Sequence, residues 1–71
     1  MAKLLKEAKS ETFSVEYYIK LFAEEDGKFM TYANNTNFNW GWVRIFNTKE
    51  EAEKDFYNSL ELFNHQKWEV K

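Results

Sequence analysis

A chain of 71 residues with 44% hydrophobic and 31% charged side chains holds enough apolar material for one folded domain and too much to stay disordered. Its net charge of −2 excludes general phosphate neutralisation as a main source of affinity, and falls short of the dense negative field of a DNA mimic. Cysteine is absent, so neither a disulfide nor a thiolate metal site can brace the fold, and packing must supply its stability.

The expected organisation is a single α+β domain over residues 1–71, with residues 1–10 able to fray. No apolar run approaches the roughly 20 residues that span a bilayer. Residues 1–10 carry lysines without the apolar core of an export signal, which makes the cytoplasm the expected location.

In chain order, residues 3–9 read as a short helix, with Leu4, Leu5 and Ala8 on one side. From Phe13 the period changes to two: Phe13, Val15, Tyr17, Ile19, Leu21 and Ala23 alternate with Ser14, Glu16, Tyr18, Lys20, Phe22 and Glu24, which predicts a strand. Asp26-Gly27 suits a two-residue type I′ turn. That turn predicts a register with Glu25 facing Lys28, Ala23 facing Met30 and Leu21 facing Tyr32.

Asn34, Asn35, Asn37 and Asn39 mark the next stretch as a loop around Phe38, because asparagine bonds its own backbone and tolerates left-handed geometry. Residues 40–46 predict a third strand, with Trp40, Trp42, Arg44 and Phe46 on one face and Gly41, Val43 and Ile45 on the other. Thr48 and Glu51 form a capping box, and Glu50, Glu51 and Glu53 suit a helix N-terminus. The helix is expected to run to about Phe63 with Ala52, Phe56, Leu60 and Phe63 as its apolar stripe, and Asn64 can end it. Residues 67–70 predict a last short strand. The predicted order is β-β-β-α-β, a mainly antiparallel sheet with one helix across a face, and a short helix before it.

Seven Phe, four Tyr and three Trp are too many rings for so short a chain to bury, since a small domain hides only about 60% of its unfolded surface. The helix is expected on the face of Tyr17, Ile19 and Leu21. The other face would show Tyr18 and Phe22 beside Phe29, together with either Trp40, Trp42 and Phe46 or Val43 and Ile45. Residues 3–9, or a second copy, could cover that face. Left open to solvent, it would be a binding surface with Tyr18, Phe22, Trp40, Trp42 and Arg44 as anchors, and with Phe38, Asn35 and Asn37 as an adaptable loop.

His65 is the only histidine and has no Cys or second His to work with, so it reads as a cap or a solvated turn residue after the helix. Glu24, Glu25 and Asp26 are consecutive at a hairpin tip and read as solvated. The two glycines are isolated, so no phosphate-cradling loop is present. Catalysis, a cofactor and a metal are not expected. A protein partner is the leading expectation, with homodimerisation open and membrane association not expected. Stacking of single-stranded nucleic acid on Tyr18, Phe22, Trp40 and Trp42 is disfavoured, because Lys20, Lys28, Arg44 and Lys67 are the only cations in or near the sheet. A nucleotide-like ligand held between two copies is a third reading.

In its size, its lack of Cys and Pro, its Tyr/Phe/Asn-rich hairpin over residues 17–46 and the strand-to-helix joint over residues 46–52, the chain resembles the small single-domain proteins that phages encode against host enzymes and defence systems, anti-CRISPR proteins among them. What that resemblance implies is steric inhibition of a larger host protein through a compact surface.

Overall fold

The computed structural model describes residues 2–71. Five strands and one helix follow in the order β1 (Lys3–Thr12), β2 (Val15–Ala23), β3 (Phe29–Asn35), β4 (Gly41–Phe46), α1 (Lys49–Leu62) and β5 (Glu69–Val70). The strands form one antiparallel sheet in the order β4-β3-β2-β1-β5, with α1 packed across one face. This is an α+β fold built on a four-strand meander.

The N-terminal segment departs from expectation. Residues 3–9 are strand rather than helix, and they are not frayed: β1 pairs with β2 from Lys3↔Ala23 to Thr12↔Val15. So short a helix is marginal in water, whereas an edge-to-edge ladder satisfies the same backbone groups cooperatively. The helix-like spacing of Leu4, Leu5 and Ala8 arises from a β-bulge between Leu4 and Lys6. The extra residue lets Leu4 sit opposite Phe22 while Leu5 packs against the core. β1 therefore extends the sheet and leaves its second face uncovered.

The β2–β3 register is one residue away from expectation. Ala23 faces Phe29, Phe22 faces Met30 and Leu21 faces Thr31. Glu24 N–H donates to the Lys28 carbonyl at 2.8 Å, and Gly27 N–H donates to the Glu24 carbonyl at 3.2 Å. The connection is thus the three residues Glu25, Asp26 and Gly27, with Gly27 at φ +84° supplying the left-handed position that closes such a loop. The Asp26 carboxylate accepts from Lys28 N–H at 3.1 Å and fixes the turn. A one-residue slip exchanges the faces of an entire strand. Phe29, Thr31, Ala33 and Asn35 consequently share the helix side with Ile19 and Leu21, while Met30, Tyr32 and Asn34 point away.

Thr48 caps α1 as expected: its hydroxyl accepts from Glu51 N–H at 3.2 Å and donates to the Glu51 carboxylate at 3.0 Å. Phe63 is the C-cap. Ala52 and Phe56 are fully buried on Ala8, Ile19, Leu21 and Ala33, and Leu60 packs at the margin. Small residues in the sheet directly beneath α1 let the helix approach closely. Asp55, on the next turn, accepts from the buried Thr31 hydroxyl and from Arg44 Nη1, both at 2.7 Å, and so ties α1 to β3 and β4. At the far side of the sheet Gln66 Oε1 accepts from Ser10 and Thr12, at 3.1 and 2.6 Å, and holds the segment after the helix against β1.

Candidate functional site

Because α1 covers one face only, the other face of the meander is solvated, and its composition follows from the ladder registers. Leu4, Phe22, Met30 and Ile45 stand in one continuous row across β1, β2, β3 and β4. The next row is Glu7, Lys20, Tyr32 and Val43, and the third is Lys9, Tyr18, Asn34 and Gly41. Apolar side chains concentrate toward β4 and charges toward β1. Leu4, Val43 and Ile45 are 46%, 57% and 54% exposed, high for large aliphatic side chains in regular strands.

Two ion pairs run along this face. Lys20 Nζ lies 3.6 Å from the Glu7 carboxylate and 5.2 Å from the centre of the Tyr18 ring. Lys9 Nζ lies 3.5 Å from Glu16. Asn34 Nδ2 donates to the Tyr32 hydroxyl at 2.9 Å, which ties the ring along β3. The result is a flat surface whose β3–β4 half is mostly apolar and whose β1 half is charged, with Glu11 directly opposite Glu16.

The residues expected to act together are divided between the two faces. Tyr18 and Phe22 lie on the open face. Trp40, Trp42 and Arg44 lie on the helix side. There Trp40 meets Tyr17, Trp42 and Phe63 edge-on, each at 5.2 Å, and Trp42 stacks on Phe63 at 5.7 Å. The Arg44 guanidinium covers the Trp42 ring at 4.8 Å on its way to Asp55. The Trp42 indole N–H is buried without an acceptor. Phe29, expected beside Tyr18 and Phe22, is on the helix side because of the register shift. Of the two sets weighed for β4, Val43 and Ile45 are the pair on the open face.

Asn35 is buried rather than presented: its side chain donates to Asn39 Oδ1 at 2.7 Å and accepts from Asn39 N–H at 3.1 Å. That clamp shapes the loop and raises Phe38 to 79% exposure at φ +55°, with Asn37 exposed beside it. A second exposed ring, Phe13, sits at φ +52° in the β1–β2 turn and is 96% exposed. Both rings are at the same end of the sheet, since Thr36 N–H bonds the Glu16 carbonyl at 3.0 Å next to that turn. Left-handed backbone at a non-glycine residue costs roughly 1–2 kcal/mol, so each turn holds its phenylalanine out against a local penalty.

Leu4, Met30, Tyr32 and Phe13 escaped the sequence reading. Met30 and Tyr32 were hidden by the slipped register, Leu4 by the helix-like spacing, and Phe13 by its alternation with the strand that follows. Reading Glu25-Asp26-Gly27 as a three-residue loop would have recovered the first two.

His65 is exposed after the helix with its ring 6.3 Å from Phe63. Among the described residues no cluster of three or more His, Cys, Asp or Glu could hold a metal ion, and no helix is long and apolar enough to cross a membrane. Comparison with protein-family models, curated proteins and solved structures returns no match.

Proposed function

We propose that this protein is a non-catalytic, cytoplasmic protein-binding module that presses the open face of its sheet against a weakly charged, apolar protein surface. The row of Leu4, Phe22, Met30 and Ile45 across four strands carries the reading, since it places apolar side chains where a self-sufficient domain has no structural use for them. Tyr18 and Tyr32 supply rings with a polar tip at the rim, a chemistry enriched at protein interfaces. Phe38 and Asn37 extend the surface at one end. Blocking a host protein by simple coverage, as the phage inhibitors that the chain resembles do, is the form of binding that suits such a flat face.

Base stacking is less well supported. Tyr18 and Phe22 are separated from Trp40 and Trp42 by the thickness of the sheet, and Lys9 and Lys20 are occupied by carboxylates of the same face.

The test is capture from the protein's own cellular lysate, with nuclease treatment, using wild type and the variants Phe22→Ser and Met30→Ser. One dominant protein retained by wild type after nuclease and lost by both variants is the expected result. Recovery that disappears with nuclease, or that ignores both substitutions, overturns the reading.

A further inference from the structure

The two edges of the sheet are unequally protected. On one side β5 is two residues long, and Lys67, Glu69 and Lys71 surround it, the short and charged pattern that discourages strand addition. On the other side β4 offers six residues, Gly-Trp-Val-Arg-Ile-Phe, paired to β3 without a bulge and carrying one charge. That charge, Arg44, is bound by Asp55.

Which backbone groups of β4 face outward follows from the phase of the ladder. Glu7 exchanges N–H and C=O bonds with Lys71, at 3.2 and 2.7 Å, so its backbone points away from β2. Hydrogen-bonded and non-bonded pairs alternate along antiparallel strands. Lys20, opposite Glu7, therefore bonds Tyr32, a phase shared by the Glu24–Lys28 and Glu16–Thr36 bonds. Thr31 and Ala33 must then bond Arg44 and Trp42, which turns the N–H and C=O groups of Val43 and Ile45, and those of Gly41, to the free edge.

We propose that a second copy of this chain occupies that edge, β4 pairing antiparallel with β4 about a two-fold axis to give a continuous ten-stranded sheet. Three registers about a two-fold axis pair at least two outward residues of each copy. One centred on Arg44 would set two guanidinium groups directly opposite each other, which is unfavourable. One centred on Trp42 pairs only Gly41 with Val43 and leaves Ile45 unmatched within β4. The third is centred on Val43 and matches all three outward residues. It sets Val43 against the partner's Val43, Ile45 against the partner's Gly41, and Arg44 against the partner's Trp42. Arginine then lies beside a tryptophan of the same type it already covers within its own chain at 4.8 Å. The residue facing the bulky Ile45 is glycine. A strand that answers its own pattern in this way favours an isologous pair, and the opposite edge, where β1 runs beyond its short pairing with β5, is bulged and rich in Lys and Glu, which discourages further strand addition.

The pairing does not depend on the identity of any other partner. It also joins the exposed Val43 and Ile45 of both copies into one apolar band across the dyad, doubling the surface proposed above.

The test is the mass in solution, by sedimentation or light scattering, over a wide range of concentration up to the solubility limit. Wild type is expected to shift from monomer to dimer. Val43→Lys sets like charges across the dyad and is expected to remain monomeric. Val43→Pro removes an N–H that the monomer's own ladder does not use, a substitution edge strands tolerate, and should do the same with an unchanged circular dichroism spectrum. Should Val43→Pro unfold, Val43→Lys decides alone. Hydrogen exchange adds a position-specific reading: the amides of Val43 and Ile45 slow with concentration while those of Trp42 and Arg44 do not. A wild type monomeric at every concentration overturns the proposal. So does a dimer that survives Val43→Lys, or one that Phe22→Ser abolishes and Val43→Lys leaves intact, which would mark face-to-face stacking instead. Lysate capture and mass respond to different substitutions, so failure of one reading leaves the other standing.

Discussion

The two faces of this sheet are built from the same four strands and solve opposite problems. The helix side alternates small residues, Ala8, Ala33 and Thr31, with the large Ile19 and Leu21, so that Ala52 and Phe56 of α1 can seat against the backbone. Its buried polar side chains Ser10, Thr31, Asn35, Ser59 and Gln66 each have a directed partner, with Asp55 serving both Thr31 and Arg44. The open face has no such complementarity of size. Its large side chains are partly exposed, and Lys9–Glu16 and Lys20–Glu7 form pairs along the surface. The helix seals the first face and leaves the second to solvent, a division that comes from the strict alternation of side chains in strands.

Substitutions on either face can break or sharpen that contrast. Phe56→Ala is expected to cost about 3–5 kcal/mol, from lost transfer energy and the cavity left behind. A chain of this length commands only about 4–11 kcal/mol in all, so denaturant titration should show a large loss or an unfolded protein. A fully stable Phe56→Ala variant would mean that α1 is not the element that seals the core. Asp55→Ala should cost less, about 1–3 kcal/mol, because it strands the buried Thr31 hydroxyl. Thr31→Val in the same background should recover part of that loss, and its failure to do so would show that the hydroxyl has another acceptor. Tyr18→Ala and Phe22→Ala on the open face should each change stability by less than about 1 kcal/mol, near the range of surface substitutions. A larger loss at Phe22 would assign the open face to the core and remove the basis of its proposed role.

Much of the fold could be read from local chemistry. The alternation around Ile19 and Leu21, the Thr48–Glu51 capping box and the stripe of Ala52 and Phe56 each carry their own signal, and each led to the right element. Misreadings occurred where one extra residue changes the count. The bulge at Leu5 made a strand look helical, and the third residue of the Glu25–Gly27 loop moved Met30 and Tyr32 to the face opposite the expected one. The candidate surface suffered more than the core for a physical reason. Core positions are marked by hydrophobicity whatever the register, whereas membership of an exposed face depends on the register alone.

Trp40, Trp42 and Arg44 illustrate the same point from the other direction. Their chemistry suits an interface anchor, yet the pairing of Trp42 with Ala33 and of Arg44 with Thr31, and the edge-on contact of Trp40 with Phe63, put them on the helix side. Composition identified a group of rings with more than one use. The ladder assigned each ring its side.

The short β5 strand, joined to β1 through Ala8↔Val70 and Lys9↔Glu69, has a consequence for how the chain reaches this state. The four strands of the meander meet neighbours across brief turns, so their ladders can zip from local contacts at small entropic cost. The pairing of Lys9 with Glu69 instead closes a loop through nearly the whole sequence and gains only a few bonds for it. It is the contact expected to form last and to open first, and native-state hydrogen exchange should find its amides relaxing well before those of β2.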